Sequence, residues 1–235
     1  MKGIFYGIGV GPGDPDLITI KASKLFDELD IIIAPETKSG KGSTALNIAK
    51  PYLGDNVEII ERKFPMTYDK KALSISYDEI AKEIKELVDG GKKVGFLTLG
   101  DPMVYSTYIY LFRRLSLLDI EIETIPGIPA FCAIASKVGI PLADTDEILT
   151  IVPSVYYDFG SDKADDILKS NNIVFMKASG NIDELIDKLG ETGHKDGSVF
   201  VSRIGLDNEV IEDHIENRRG IDNNYLSTRI AKKER

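Results

Sequence analysis

The chain has 235 residues, with 29 Lys and Arg against 38 Asp and Glu, a net charge of −9, and 43% hydrophobic residues. That composition builds a packed core in one large domain or two small ones and excludes wholesale disorder. It also argues against a general nucleic-acid binder, leaving room only for a local basic pocket. No uninterrupted apolar run approaches the ~20 residues that span a bilayer, and the first residues carry no signal-peptide pattern. The single cysteine, Cys132, forms no internal disulfide, so a cytoplasmic location with no membrane partner is expected. One Cys and two separated His leave no zinc cluster, and no metal site is expected.

In chain order, Ile4 to Val10 reads as a strand, followed by a Gly-rich turn and a helix from Asp16 to Leu29. The β-branched run Ile31–Ala34 is a buried strand. A helix from Ser43 to Tyr52 and a strand from Val57 to Ile60 follow. A helix from Ile75 to Val88 stops at Gly90-Gly91. Then come a strand from Lys93 to Leu99, a helix from Val104 to Leu118 and a strand from Ile120 to Ile125. This alternation predicts an α/β layer with a largely parallel sheet, and ligands bind beyond the strand ends of such sheets. Two prolines in Pro126-Gly127-Ile128-Pro129 punctuate the chain, which places a boundary there between residues 1–125 and 126–235. Beyond it, Ala130 to Val138 and Ile182 to Leu189 read as helices. Ile148–Val152, Ile173–Met176, Ser198–Ser202, Glu209–His214 and Tyr225–Ile230 read as strands, and the tail from Lys232 as a solvated end.

Gly7-Ile8-Gly9-Val10-Gly11-Pro12-Gly13-Asp14-Pro15 follows the first strand. It fails as a dinucleotide fingerprint because Pro12 stands where the third glycine belongs and has no N–H for a phosphate. Asp14 or Asp16 can cap the next helix, but four glycines in seven residues suggest that something approaches the backbone closely. Ser39-Gly40-Lys41-Gly42-Ser43-Thr44 is not a phosphate loop, since Gly42 follows the lysine. It is a flexible loop capped by Ser43, or a cationic loop with Lys38 and Lys41. Leu99-Gly100-Asp101-Pro102 repeats the Gly-Asp-Pro turn at a second strand end, and Asp101 could cap the following helix. Carboxylates at adjacent strand ends repel phosphates and suit a ligand with positive charge and hydroxyls, such as S-adenosylmethionine. His194 and His214 sit in polar contexts and read as surface residues, and Cys132 reads as a small core residue. Arg62-Lys63-Phe64-Pro65-Met66-Thr67 mixes cations with apolar groups in a way that fits a large, flat polycarboxylate.

These motifs, in this order, resemble the tetrapyrrole methylase family across almost the whole chain. The resemblance rests on Tyr6–Pro15, Gly100-Asp101-Pro102, Pro126–Ala130 and the late strand ending at Met176. Within the family, Phe64-Pro65-Met66-Thr67 and Phe96–Tyr108 look most like the branch that methylates carbon 20 of precorrin-2. The resemblance implies an α/β, two-domain fold with a mostly parallel N-terminal sheet, a mixed C-terminal sheet and a cleft between the domains. It also implies a homodimer and S-adenosylmethionine as cofactor. It assigns Pro12, Leu99, Gly100, Asp101, Val104, Ser106, Thr107, Pro129, Ala130, Met176 and Gly205 to the cofactor. Gly11, Gly13, Asp14, Lys38, Lys41, Arg62, Lys63, Met66 and Arg113 fall to a tetrapyrrole substrate.

The implied reaction is methyl transfer from S-adenosylmethionine to a meso carbon, with the electron-rich macrocycle as nucleophile. The protein then mainly holds two reactants in attack geometry. Asp101 or Tyr105 would take the carbon-20 proton. The rivals are another methylase of this fold acting on a different carbon, and a non-catalytic tetrapyrrole carrier.

Overall fold

The structure, a computed structural model, describes residues 3–36, 42–64, 70–159, 161–178 and 182–233. The chain divides into two compact units, Met1–Pro129 and Ala130–Arg235.

In the first unit the strands are β1 (Ile4–Gly9), β2 (Ile31–Glu36), β3 (Glu58–Lys63), β4 (Lys93–Thr98) and β5 (Glu121–Ile125). They form one parallel sheet in the order β3-β2-β4-β1-β5. All five strand ends therefore reach the same edge, and β1 sits between β4 and β5. The helices α1 (Ile20–Phe26), α2 (Thr44–Ala49), α3 (Lys70–Asp89) and α4 (Tyr108–Leu115) lie between strands in the chain. Phe5, Ile31, Ile33, Val94 and Phe96 pack with Tyr77, Ile80, Ile84 and Val88 of α3 and Tyr108, Leu111 and Leu115 of α4. At roughly 1.5–3 kcal/mol per fully buried large apolar side chain, this cluster fixes the register of the central strands. β1 and β4 are buried at every position after the first, as expected for a sheet covered on both faces.

Several elements depart from their expected bounds. The helix expected from Asp16 splits into a 3-10 turn at Pro15–Leu17 and α1, whose N-cap is Thr19. Asp14 caps the 3-10 turn instead, accepting from Asp16 N at 3.0 Å. Ser43 does cap α2, accepting from Leu46 N. The helix expected from Val104 starts only at Tyr108, because Tyr105 adopts φ +46° and breaks the helical path. Asp101 is consequently not its cap.

The second unit contains α5 (Ala130–Val138), β6 (Leu149–Pro153), α6 (Asp162–Leu168), β7 (Asn172–Met176), α7 (Ile182–Glu191), β8 (Gly197–Ser202), β9 (Val210–Glu212) and β10 (Ser227–Lys232). Its sheet is mixed, in the order β6-β7-β10-β8-β9, with only β6 and β7 parallel. Val152, Ile173, Phe175 and Ala231 pack with Ala164 and Leu168 of α6 and Ile182, Leu185, Ile186 and Leu189 of α7.

Helix α6 was not expected. Three Asp and one Lys dominate Asp162–Leu168, and so short a segment shows too few apolar positions to reveal a period. Lys232 is no solvated end, since it closes β10 and its Nζ donates to Pro141 O at 2.8 Å. His194 is no surface residue either. It is fully buried, with Nε2 2.9 Å from Ser170 O and Nδ1 2.9 Å from Thr192 Oγ1. Cys132 is half-buried, and burial pushes its thiol up, away from nucleophilic character. Among the described residues no helix is long and apolar enough to cross a membrane. Among them, too, no group of three or more His, Cys, Asp or Glu could hold a metal ion.

Candidate active site

The strand ends of β4, β1 and β5 meet backbone to backbone. Val10 N donates to Thr98 O at 3.0 Å, extending the ladder beyond β1. Gly11 and Gly100 then form a reciprocal antiparallel bridge, with Gly100 N donating to Gly11 O at 2.7 Å and Gly11 N to Gly100 O at 3.3 Å. Both adopt positive φ, +76° and +74°, where a side chain would be strained. The loop after β5 closes over them. A Cβ on Gly127 would stand 2.1 Å from Gly100 O, and one on Gly9 would stand 2.5 Å from Gly127 N. The dense glycines thus admit the chain's own backbone. At Gly7 they admit the Tyr108 ring, 2.1 Å from an added Cβ.

Asp101 locks this junction. Its Oδ1 accepts from Met103 N at 2.8 Å and its Oδ2 from Gly127 N at 3.0 Å. One carboxylate thereby shapes the turn after β4 and ties it to the turn after β5. Ser106 donates back to Pro102 O, which tightens the same loop. Tyr108 OH and Thr124 Oγ1, 2.6 Å apart, join the start of α4 to β5. Burial raises the Tyr108 phenol, opposed by the Thr124 bond, so it stays neutral and serves as a strut.

Around the junction Pro12 and Gly13 are buried, Leu99, Val104 and Pro129 are half-buried, and Asp14, Tyr105 and Thr107 are exposed. At this edge Thr98 Oγ1 at the end of β4 and Glu36 Oε2 at the end of β2 are buried without a hydrogen-bond partner among the described residues. Nothing in their spacing marks these two residues, and they went unnoticed in the sequence. Unsatisfied polar atoms at the ligand edge of a parallel sheet are what a ligand with its own donors and acceptors would complete.

In the second unit Met176 is half-buried at the end of β7, and Lys177 follows with φ +55°. Gly205, at φ +70°, is held by its N–H, which donates to Glu209 Oε2 at 2.6 Å. Lys137 Nζ sits 2.6 Å from the other Glu209 oxygen. Burial alone would raise the Glu209 carboxyl, but Lys137 and the Gly205 N–H outweigh it and hold it below its ordinary value. Ala130 opens α5, half-buried.

The model of the Tetrapyrrole (Corrin/Porphyrin) Methylases matches residues 5–216. The chain belongs to this family. It is 33% identical to the cobalt-precorrin-2 C(20)-methyltransferase of Salmonella typhimurium, over 92% of this chain and 90% of that one. It is 35% identical to the probable cobalt-precorrin-2 C(20)-methyltransferase of Methanocaldococcus jannaschii, over 97% and 95%. A uroporphyrin-III C-methyl transferase from Thermus thermophilus, complexed with S-adenyl homocysteine, shares the fold with a TM-score of 0.71 at 19% identity, covering 98% of this chain and 92% of that one.

Within this methylase fold, the residues expected around the first and central turns do converge. Gly11, Pro12, Leu99, Gly100 and Asp101 belong to one hydrogen-bonded junction or flank it directly. Of the expected basic residues, three are described, on β3 and α4. Arg62 is ion-paired with Glu83 of α3. Lys63 ends β3, the far edge strand of the sheet, and is exposed. Arg113 is exposed in the last turn of α4, where a cation complements the helix dipole. Lys38, Lys41 and Met66 lie outside the described residues.

Proposed function

We propose that the chain is an S-adenosylmethionine-dependent C-methyltransferase acting on carbon 20 of precorrin-2 or cobalt-precorrin-2 (cobalt-factor II) in cobalamin biosynthesis. The observation that carries this reading is its similarity, over more than nine-tenths of its length, to two relatives that both bear the C(20) name.

The residues present fit the cofactor. The positive-φ glycines Gly11 and Gly100 leave no side chain over the junction, and the orphaned Thr98 hydroxyl can bond in either direction. When bound, S-adenosylmethionine supplies an electrophilic methyl group on a sulfonium. Pro12, Leu99, Gly100, Asp101, Val104, Ser106, Thr107 and Pro129 in the first unit would hold it, with Ala130, Met176 and Gly205 in the second. Gly11, Gly13 and Asp14 present the first turn to the macrocycle, whose carboxylates would be met by Lys38, Lys41, Arg62, Lys63 and Arg113, beside Met66. Asp101 fixes the spacing of two loops, which is the contribution expected where the substrate carbon is itself the nucleophile. Carbon 20 must lose a proton after methylation, and Asp101 and Tyr105 are the groups on this loop suited to receive it. Asp101 keeps acceptor capacity beyond its two N–H bonds.

A homodimer and a cytoplasmic location complete the proposal, supported by family resemblance. Light scattering on the purified chain tests the first. Release of S-adenosylhomocysteine tests the function. Turnover with precorrin-2 or its cobalt complex, and none with uroporphyrinogen III, supports it. Turnover with uroporphyrinogen III alone would move the chain to another branch of the fold, and pigment binding with no turnover would make it a carrier.

A further inference from the structure

We propose that the second unit holds a buried anion site whose main donor is Arg229, completed by Ser227 and by the positive field of Arg218, and that its ligand is a small carboxylate. Nothing in the methyl-transfer reading requires this site.

Arg229 lies mid-strand in β10, the central strand of its sheet, and its side chain is 0% exposed. It faces the helix-covered side, since its ladder partners are Phe175 and Phe200 and its neighbour two residues on, Ala231, is in the core of that side. Of its five N–H hydrogens, only those on Nη2 find an acceptor among the described residues, a long bond of 3.3 Å to Ala178 O. Nε and Nη1 have no partner among the described residues. Among the described residues no carboxylate acts on it. The charge it feels is a second cation, Arg218, and the two guanidinium carbons lie 5.5 and 4.5 Å from the centre of the Phe200 ring. Arg218 is only half-buried and donates through Nε and Nη2 to Asn223 Oδ1.

Burial drives the Arg229 pKa down, but only to about 10, so the group remains charged at neutral pH. A buried charge with unused donors is costly unless an opposite charge joins it. Ser227 adds a second orphan. It lies two residues before Arg229 and so on the same face of β10, and its Oγ is buried with no partner among the described residues. Its carbonyl accepts from Ala178 N at 2.9 Å, so the Arg229 guanidinium, which reaches Ala178 O, extends toward Ser227. Unused guanidinium hydrogens, a free hydroxyl and one uncompensated charge match a planar monoanion. Arg229 is 0% exposed and Ser227 1%, so the anion that joins them is a small one.

The test uses formate with the full chain, at constant ionic strength set by a bulky sulfonate salt. Formate should raise the Tm of the wild type saturably, by roughly 5 °C, and [13C]formate NMR should show a single bound equivalent. Arg229→Met, which replaces a buried charge by an apolar group of similar length, should equal or exceed the wild type without formate and show no rise with it. Ser227→Ala should weaken formate binding several-fold. A flat wild-type titration, or equal rises in wild type and Arg229→Met, would overturn the proposal. Saturation by phosphate but not formate would overturn the carboxylate assignment. Should Arg229→Met not fold, the wild-type NMR titration and Ser227→Ala decide alone.

Discussion

Gly127 has no room for a methyl group. An added Cβ would press on the Gly100 carbonyl, a backbone atom that cannot swing away. Gly127→Ala should therefore cost about 2–4 kcal/mol in urea unfolding. Gly54→Ala, whose Cβ would meet nothing within 4 Å, should cost little. Equal effects would show that the junction is not tightly packed. At Asp101 and Tyr105 the question is chemical. Asp101→Asn and Tyr105→Phe separate the two proton acceptors. The variant whose kcat falls about 10²-fold or more with KM unchanged identifies the group that takes the proton. If neither falls, water takes it.

His194 makes stability pH-dependent. Ser170 O can only accept, so Nε2 carries the hydrogen and Nδ1 faces the Thr192 hydroxyl, which also lies 2.8 Å from Lys188 O. Burial is the leading cause that lowers the His194 pKa from 6.5, with Lys233 adding to it and the Ser170 bond opposing. The unfolded chain thus binds this proton more readily than the folded one. The His194 contribution is intact above pH ~6.5 and is lost as pH falls toward the depressed folded value. Urea melts from pH 7.5 to 5 should show a smaller loss of stability in His194→Gln than in the wild type, and an unchanged slope would contradict the assignment.

At the scale of elements, the sequence exposed whatever carried a long apolar run or an unambiguous cap. The strands Ile4–Gly9 and Lys93–Thr98 were legible because burial on both faces demands consecutive apolar residues. Ser43 was legible as a cap because a serine precedes the helix directly. The start of α4 was not. Val104-Tyr105-Ser106-Thr107 holds only weak helix formers, and the left-handed backbone of Tyr105 delays the helix to Tyr108. The first helix was misjudged because Asp14 and Asp16 are as good caps as Thr19, and the choice lies in the Pro15–Leu17 turn. Thr19→Ala should cost ~1 kcal/mol, and Asp16→Ala, whose side chain caps no backbone N–H among the described residues, close to none. The reverse order in thermal melts would restore the longer helix.

On the scale of the whole molecule, two sheets of different construction share one chain. The first half declared its parallel order through alternating strands and helices. The second has short strands and antiparallel pairings between elements distant in sequence, which a local pattern cannot reveal. The glycine-rich turns showed that a close approach occurs, but not that Gly9, Gly100 and Gly127 approach one another. Thr98, Glu36 and Arg229 were invisible beforehand because their unsatisfied atoms are a property of their surroundings. Charge was legible, but not the pairing of Arg62 with Glu83, which joins β3 to α3.

The measurement that bears most directly on the function is 13C NMR of the macrocycle formed from precorrin-2, free or cobalt-bound, and S-adenosyl[methyl-13C]methionine. A carbon-20 methyltransferase places the enriched methyl group on carbon 20 and nowhere else. Enrichment at any other carbon, or none in either form of the substrate, would contradict it.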